Sequence, residues 1–436
     1  MIANDKFFIR GLGGKKKLNG TIVVSGAKNA ALKAMASSIL FKDTLTTKNI
    51  PNIEDVKRMS DLLIDLGCEV KKNNSHTYVF RCGNTIKTDL SSEISKRMRS
   101  SIVLSGPILA RFGEVSFPHP GGCVIGERPI DFFIDGFQKM GARVTIKGGT
   151  RKKSYIIRAP KNGLRGATIF LKNPSVTATE TFMMAGILAK GITVLQNVAL
   201  EPEIKDVADF LIQSGADIKG LGTTTLTIKG GGLLSARGKV YTTMPDRIEA
   251  GSFIILGALG AKTLRIENCN PDHITSLIDT LRTIGVSFEV GNKSVTISSF
   301  KRGSQFKMVS IKTHEYPGFP TDLQAPMMVL LTQTNGEAVV FETIFEGRLN
   351  YTESLMGMGA DITPMDPHRV LVKGPTALRG KKLESPDLRA GLAFIIAATI
   401  ARGNSTIHNV YNIDRGYERI EERLKAIGVD IKRVSD

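Results

Sequence analysis

The chain has no tryptophan, and aromatic residues make up only 6% of its 436 positions. No basic stripe is interleaved with aromatics, so the stacking platform that grips single-stranded nucleic acid is missing. Four cysteines (Cys68, Cys82, Cys123, Cys269) show no C-x-x-C spacing, so neither a zinc site nor a disulfide framework is expected. The six histidines are dispersed, with no paired spacing for a metal. No apolar signal core opens the sequence. The longest apolar run, near Gly391 to Ala401, is far short of the roughly 20 residues a membrane span needs. These absences point to a cytoplasmic chain with no metal, no membrane and no nucleic acid among its partners.

What the chain does have is size, a positive balance and a repeat. Its length exceeds one core and fits two domains, and 42% apolar with 23% charged residues is a globular composition. Lysine plus arginine exceed aspartate plus glutamate by 59 − 41 = 18, which favours anionic partners. The excess is scattered; its densest runs, Lys15-Lys16-Lys17 and Arg151-Lys152-Lys153, read as solvated surface.

A short phrase, glycine at a helix end followed by a strand, occurs six times. It reads Leu66-Gly67-Cys68, Met140-Gly141-Ala142, Ser214-Gly215-Ala216, Ile284-Gly285-Val286, Met358-Gly359-Ala360 and Ile427-Gly428-Val429. The glycines stand 74, 74, 70, 74 and 69 residues apart. Upstream of each, a short strand leads to an apolar helix rich in small residues, then a turn, a β-branched strand and a second, amphipathic helix. Each unit is thus βαβαββ, about 70 residues long. Three units around an axis make one α/β domain and six make two, filling residues 25–241 and 242–436.

Between Phe117 and Phe132 proline and glycine crowd the chain, which predicts an irregular loop carrying the thiol of Cys123, with a helix starting at Arg128-Pro129. A thiol beside arginine and free amides is tuned for chemistry, whereas an inert cysteine in a surface loop is the plainer alternative. The repeat sharpens the choice. Before the first helices stand Lys28, Arg99, Ser175, Arg247, Asp322 and Arg389, 37 to 42 residues ahead of their glycines. At the second helices stand Asp55, Arg128, Glu203, Asp272, Arg348 and Arg415, 11 to 13 residues ahead. A cation at a helix N-terminus opposes the dipole, so its recurrence suggests a site for a polyanionic small molecule. Ion pairing with acidic neighbours is the alternative.

At these residues the chain resembles the enolpyruvyl transferases of the EPSP synthase superfamily. The resemblance runs along essentially the whole sequence. It rests on Ser25-Gly26-Ala27-Lys28-Asn29-Ala30-Ala31-Leu32, Met98-Arg99-Ser100-Ser101, Pro120-Gly121-Gly122-Cys123, Arg128-Pro129-Ile130-Asp131 and Glu201-Pro202-Glu203-Ile204. It continues through Pro245-Asp246-Arg247-Ile248-Glu249, Phe319-Pro320-Thr321-Asp322-Leu323-Gln324, Asp387-Leu388-Arg389-Ala390 and Asp414-Arg415-Gly416-Tyr417-Glu418-Arg419.

The resemblance implies two inside-out α/β domains with pseudo-threefold symmetry, an active site in the cleft between them, and residues 1–24 pairing with the second. It implies transfer of the enolpyruvyl group of phosphoenolpyruvate to the 3′-hydroxyl of UDP-N-acetylglucosamine, with no cofactor. Carried over residue by residue, Cys123 is the acid toward C3 of phosphoenolpyruvate and Asp322 the base toward the sugar hydroxyl. Lys28 and Arg415 hold phosphoenolpyruvate, with Arg128, Arg348 and Arg389 adding charge and Asn29 a polar contact. Arg99, Arg128, Pro129, Ile130, Asp131, Phe132, Asn173, Pro174, Ser175, Val176 and Ile344 hold the UDP-sugar, with Glu203 and Arg247 completing the substrate-binding set. The chain departs from the family pattern in three places. Phe117-Pro118-His119-Pro120 lengthens the cysteine loop, Asn173 stands where some relatives have lysine, and Asn412 replaces a common histidine. Two other functions fit less well. Transfer to shikimate 3-phosphate would not need the Cys123 loop. An RNA-binding protein of related fold would fit the charge but not the scarcity of aromatics.

Overall fold

The computed structural model describes residues 5–121, 130–149, 153–298 and 305–435. Its strands and helices follow the six-fold repeat. All six marker glycines adopt left-handed backbone, with φ of 101° (Gly67), 89° (Gly141), 112° (Gly215), 92° (Gly285), 101° (Gly359) and 98° (Gly428). At each, the amide of the next residue closes back on a carbonyl five residues upstream, as in Cys68 N to Leu63 O and Val429 N to Leu424 O. That is the Schellman closure, which leaves the following strand pointing away from the helix.

The described chain divides into two compact units, one holding residues 26–121 and 130–244, the other residues 5–25 and 245–435. In each, the first helices of the three repeats form the centre and the sheets cover them. Every residue of Arg247–Gly260 and of Leu388–Ile400 is buried. A helix apolar on all sides needs neighbours on all sides, which one repeat cannot provide. Where two such helices meet in the first unit, a Cβ on Gly106 would lie 2.3 Å from the carbonyl oxygen of Thr181, so only glycine permits that approach.

Four of the six sheets follow one plan: a parallel edge strand, the central strand of the repeat, then an antiparallel hairpin, whereas the sheet of the second repeat has three strands, all antiparallel, in the order Glu114–Pro118, Ser154–Arg158, Arg143–Lys147. The third repeat shows it without borrowing, in the order Asp217–Lys219, Thr225–Lys229, Ile192–Gln196, Thr168–Phe170. Three others borrow strands from elsewhere in the chain, the first repeat taking Val240–Thr242 parallel to Leu45–Lys48. Leu18–Val23 lies parallel to Ala261–Glu267 in the fourth repeat. Lys6–Arg10 inserts antiparallel between Asn404–His408 and Asp430–Val434 in the sixth. In four repeats the residue after the central strand is an asparagine with positive φ: Asn49, Asn197, Asn268 and Asn409. The first three donate Nδ2 to the carbonyls of Thr243, Leu171 and Val24, each at 2.8 Å, and Asn409 donates to the Glu384 carboxylate at 3.1 Å. Asparagine tolerates this conformation better than most side chains.

Two sequence expectations need correction. Cys68 and Cys82 are joined in a disulfide, with an S–S distance of 2.04 Å and Cα atoms 4.3 Å apart. The hairpin explains it: Glu69 pairs with Arg81, so the residues just outside face each other at the separation of neighbouring antiparallel strands. Spacing along the chain carries no such register. The stretch from Phe117 is not irregular from its start either, since Glu114–Pro118 is a strand in register with Ser154–Arg158. It is an edge strand, where proline is tolerated. The next helix is described from Asp131 to Lys139, and the expected start at Arg128-Pro129 lies outside the described residues. No helix among the described residues is long and apolar enough to cross a membrane.

One buried ion pair crosses the centre of the first unit. Lys33 Nζ, on Lys28–Ser37, lies 3.0 Å from Glu180 Oε2, on Val176–Leu188, with both side chains shut from solvent. Burial pushes the Glu180 carboxyl up to about 7 against the pull of Lys33. Glu180→Ala alone is expected to cost about 3–5 kcal/mol in denaturant unfolding, because it strands a buried ammonium, while Lys33→Met with Glu180→Leu is expected near neutral. A loss below about 1 kcal/mol for the single change would refute this account of the pair.

Candidate active site

The centre of charge in the second unit is Asp322. It sits in a single 3-10 turn, Thr321–Leu323, that leads into Gln324–Leu331. Arg348 Nη2 donates to Asp322 Oδ1 at 2.7 Å. Arg389 donates to Oδ2 through Nη2 at 2.9 Å and Nε at 3.1 Å. The arginine side chains are 4% and 6% exposed, the aspartate side chain 27%, so one carboxylate balances two buried guanidiniums and keeps an edge toward solvent. Burial alone would raise the Asp322 carboxyl, but Arg389 and Arg348 outweigh it and hold the group well below the usual carboxylate range.

Each arginine is itself fixed. Arg389 donates Nη1 to the Tyr417 hydroxyl at 2.8 Å, and burial pushes that phenol up to about 12. The Arg389 backbone is held by Asp387, which caps Leu388–Ile400 by accepting from the amides of Arg389 and Ala390. Arg348 lies 5.5 Å from the centre of the Phe345 ring. Arg247 opens Arg247–Gly260 behind the cap Asp246, with its guanidinium 5.5 Å from the Tyr316 ring. Arg415 follows the short helix Tyr411–Asp414. Asp414 is clasped by Arg433 at 2.7 and 2.9 Å, so the backbone before Arg415 is anchored from the last strand. Asn412 spends its side chain on the Ser385 carbonyl at 2.9 Å.

The first unit shows the same arrangement with the signs exchanged. Lys28 Nζ lies 2.6 Å from Asp55 Oδ2, with side chains 11% and 2% exposed. Lys28 and Asp322 hold the same place in their repeats, as do Asp55 and Arg348. One repeat puts the cation on its first helix and the acid on its second, the other the reverse. Ion pairing, the plainer alternative for these helix-end charges, is therefore realised at Lys28, Arg348 and Arg389.

The chain can be placed among known proteins from here. The model of the EPSP synthase (3-phosphoshikimate 1-carboxyvinyltransferase) family matches residues 12–424. The chain belongs to that family. A UDP-N-acetylglucosamine 1-carboxyvinyltransferase of Koribacter versatilis is 42% identical over 435 residues, covering 99% of this chain and 97% of the relative. One of the same name from Campylobacter fetus is 41% identical, covering 97% and 98%. Among solved structures, the enolpyruvyl transferase NikO from Streptomyces tendae matches with a TM-score of 0.87 at 22% identity over all of both chains. EPSP synthase from Acinetobacter baumannii matches with 0.73 at 19%, covering 99% of this chain and all of the other. These two likenesses establish the two-domain α/β fold of the family.

Among the described residues, the other expected site residues of this family member lie in the first unit, apart from Ile344. Arg99 donates to the Pro120 carbonyl at 3.2 Å, at the root of the cysteine loop. Also at that root, His119 donates its amide to the Lys153 carbonyl and sets Nδ1 3.2 Å from the Tyr155 hydroxyl. Burial, then Arg99 and Lys153, lower the His119 imidazole. Ile130 is buried, Asp131 and Phe132 open Asp131–Lys139, and Phe132 packs its ring 4.5 Å from that of Phe133. Ser175 caps Val176–Leu188 by accepting from the Ala178 amide at 3.3 Å, with Asn173 exposed and Pro174 half-buried just before it. Glu203 is buried in the first turn of Pro202–Gln213, and Asn29 is half-buried beside Lys28. Ile344, in the second unit, donates its amide to Glu342. Cys123, Arg128 and Pro129 lie outside the described residues. Sequence reasoning missed Tyr417 and Arg433; the signal available was a tyrosine two residues after Arg415 and an arginine in the last strand.

The Asp322 clamp has a pH signature. A carboxylate held below its unfolded value of about 3.9 contributes stability that is present above that pH and lost as pH falls through the folded value. Asp322→Asn is expected to be about 3 kcal/mol less stable than the native chain at pH 7. The gap should narrow steadily below about pH 4, followed by denaturant unfolding across the range. A constant gap would show that Asp322 is not the titrating group.

Proposed function

We propose that the chain transfers the enolpyruvyl group of phosphoenolpyruvate to the 3′-hydroxyl of UDP-N-acetylglucosamine and releases phosphate, the first committed step of peptidoglycan synthesis. The observation that carries this is the 42% identity, over 99% of the chain, to a protein named for that activity. The clamped Asp322 supports it, since arginines at that place are suited to anionic substrates. The family model's own name points to shikimate 3-phosphate as acceptor, but the near-full-length relatives carry the UDP-sugar name.

The chemistry divides into addition and elimination. The sugar oxygen bonds to C2 of phosphoenolpyruvate while C3 gains a proton, giving a tetrahedral phosphate ketal. C3 then gives up a proton as the C2–O bond to phosphate breaks. Cys123 is the acid toward C3, and Lys28 and Arg415 take the negative charge of phosphoenolpyruvate. Asp322 is the base toward the hydroxyl. Clamped by two guanidiniums it is a weak one. Substrate anions drawn to Arg348 and Arg389 compete for those cations and so raise the basicity of Asp322. The weak base is thereby reserved for the moment when substrate is present. Charge is handled by arginine and lysine at preorganised positions, the kind of term that dominates polar catalysis.

Phosphate release is expected only with both substrates present, and its appearance with shikimate 3-phosphate instead would reassign the acceptor. Asp322→Ala is expected to keep UDP-N-acetylglucosamine binding by calorimetry and lose at least about 100-fold in product formation. An unchanged rate would remove Asp322 from the reaction. An epoxide phosphonate such as fosfomycin is expected to add one equivalent to Cys123 by mass spectrometry. Retention of the adduct in Cys123→Ser would place the reactive group elsewhere.

A further inference from the structure

We infer that Glu342 is a positioning residue for the reaction proposed above, a buried carboxylate that holds Asp322 and the turn leading to Arg348 in register; the inference rests on that functional reading. Glu342 directly follows the strand Gly336–Phe341. It thus occupies the place that Asn49, Asn197, Asn268 and Asn409 occupy after the central strands of four other repeats. There the asparagine ties its own strand to the end of the neighbouring one. In this repeat the next residue makes that tie: the Thr343 amide donates to Thr313 Oγ1 at 2.9 Å, and Thr343 Oγ1 donates to the Thr313 carbonyl at 2.7 Å. The side chain of Glu342 is released from the structural task.

It is directed at the candidate site instead. Glu342 is fully buried. Oε1 accepts from the amides of Ile344 at 2.9 Å and Phe345 at 3.2 Å. Oε2 accepts from the Thr321 hydroxyl at 2.9 Å. Its own main chain is held by His368, through the carbonyl at 2.8 Å and Nδ1 at 2.7 Å. Thr321 immediately precedes Asp322. Ile344 is a proposed nucleotide contact, and Phe345 carries the ring beside Arg348. One side chain therefore fixes both backbone segments that deliver Asp322 and Arg348 to their 2.7 Å contact. A buried carboxylate bearing three donors keeps its geometry because leaving any of them unmatched is costly.

The test is steady-state phosphate release, expressed per folded molecule counted by circular dichroism. Glu342→Ala is expected to lower kcat at least about 100-fold with KM for phosphoenolpyruvate nearly unchanged, because sub-ångström misplacement of reacting groups acts on kcat. Glu342→Gln keeps an oxygen for the two amides, and the Thr321 hydroxyl can turn to accept from its NH2, so kcat within about tenfold of native is expected. Leu355→Ala, a cavity in the same core at a residue that makes none of these side-chain bonds, controls for stability loss and should leave kcat per folded molecule unchanged. If Glu342→Ala does not fold, Thr321→Val removes one bond only and is expected to cost about tenfold in kcat. The inference is overturned by native-like kcat in Glu342→Ala or Thr321→Val, by Gln performing no better than Ala, or by Leu355→Ala matching the loss. Absence of phosphate release from the native chain would instead overturn the functional reading, and this inference with it.

Discussion

An α-helix that is apolar on every side cannot be stable at a surface, and the architecture follows from that constraint. Arg247–Gly260 and Leu388–Ile400 have no polar face to offer water. Each must be enclosed by two like helices and by sheets. Enclosure leaves only the helix ends free to meet solvent, so polar chemistry is confined to them. Arg247 and Arg389 stand in the first turn of such helices, each behind an aspartate cap. The caps satisfy the terminal amides, which lets a cation occupy an otherwise unfavourable end.

The charged clusters are balanced within themselves. Asp322 neutralises part of two arginines, Asp55 neutralises Lys28, and Tyr417 and Asp414 fix the groups around them. Under the function proposed above, such an arrangement stores cations for substrate anions without leaving unpaired buried charge. On that reading it also makes the basicity of Asp322 conditional, since the guanidiniums that suppress it are the ones a phosphate would draw away.

Much of this was legible in the sequence, and the physical reason differs from feature to feature. The six glycines announced themselves because a left-handed helix end tolerates little else, and all six adopt that backbone. The charges at the helix starts were legible as a repeated position, but their pairing was not. Opposite charges 26 or 27 residues apart meet only because two helices of one repeat converge. The Cys68–Cys82 bridge was hidden for a similar reason, as hairpin register is set by backbone pairing and not by any spacing of thiols. Pro118 was read as a break although it ends an edge strand, because a single sequence does not reveal which strand lies at an edge. Glu342 escaped notice since it replaces asparagine with a residue of different chemistry, and only superposed repeats expose the exchange.

The insertion of Lys6–Arg10 between Asn404–His408 and Asp430–Val434 has a consequence for biogenesis. Residues 26–244 are continuous in sequence and can collapse while the ribosome is still adding the remainder. The second unit has no such freedom, for the sheet of the sixth repeat lacks a middle strand until Lys6–Arg10 meets Asn404–His408 and Asp430–Val434, far along the sequence. Contacts of such long sequence separation form slowly. During that interval the facing edges of Asn404–His408 and Asp430–Val434 stay open to pairing with another strand.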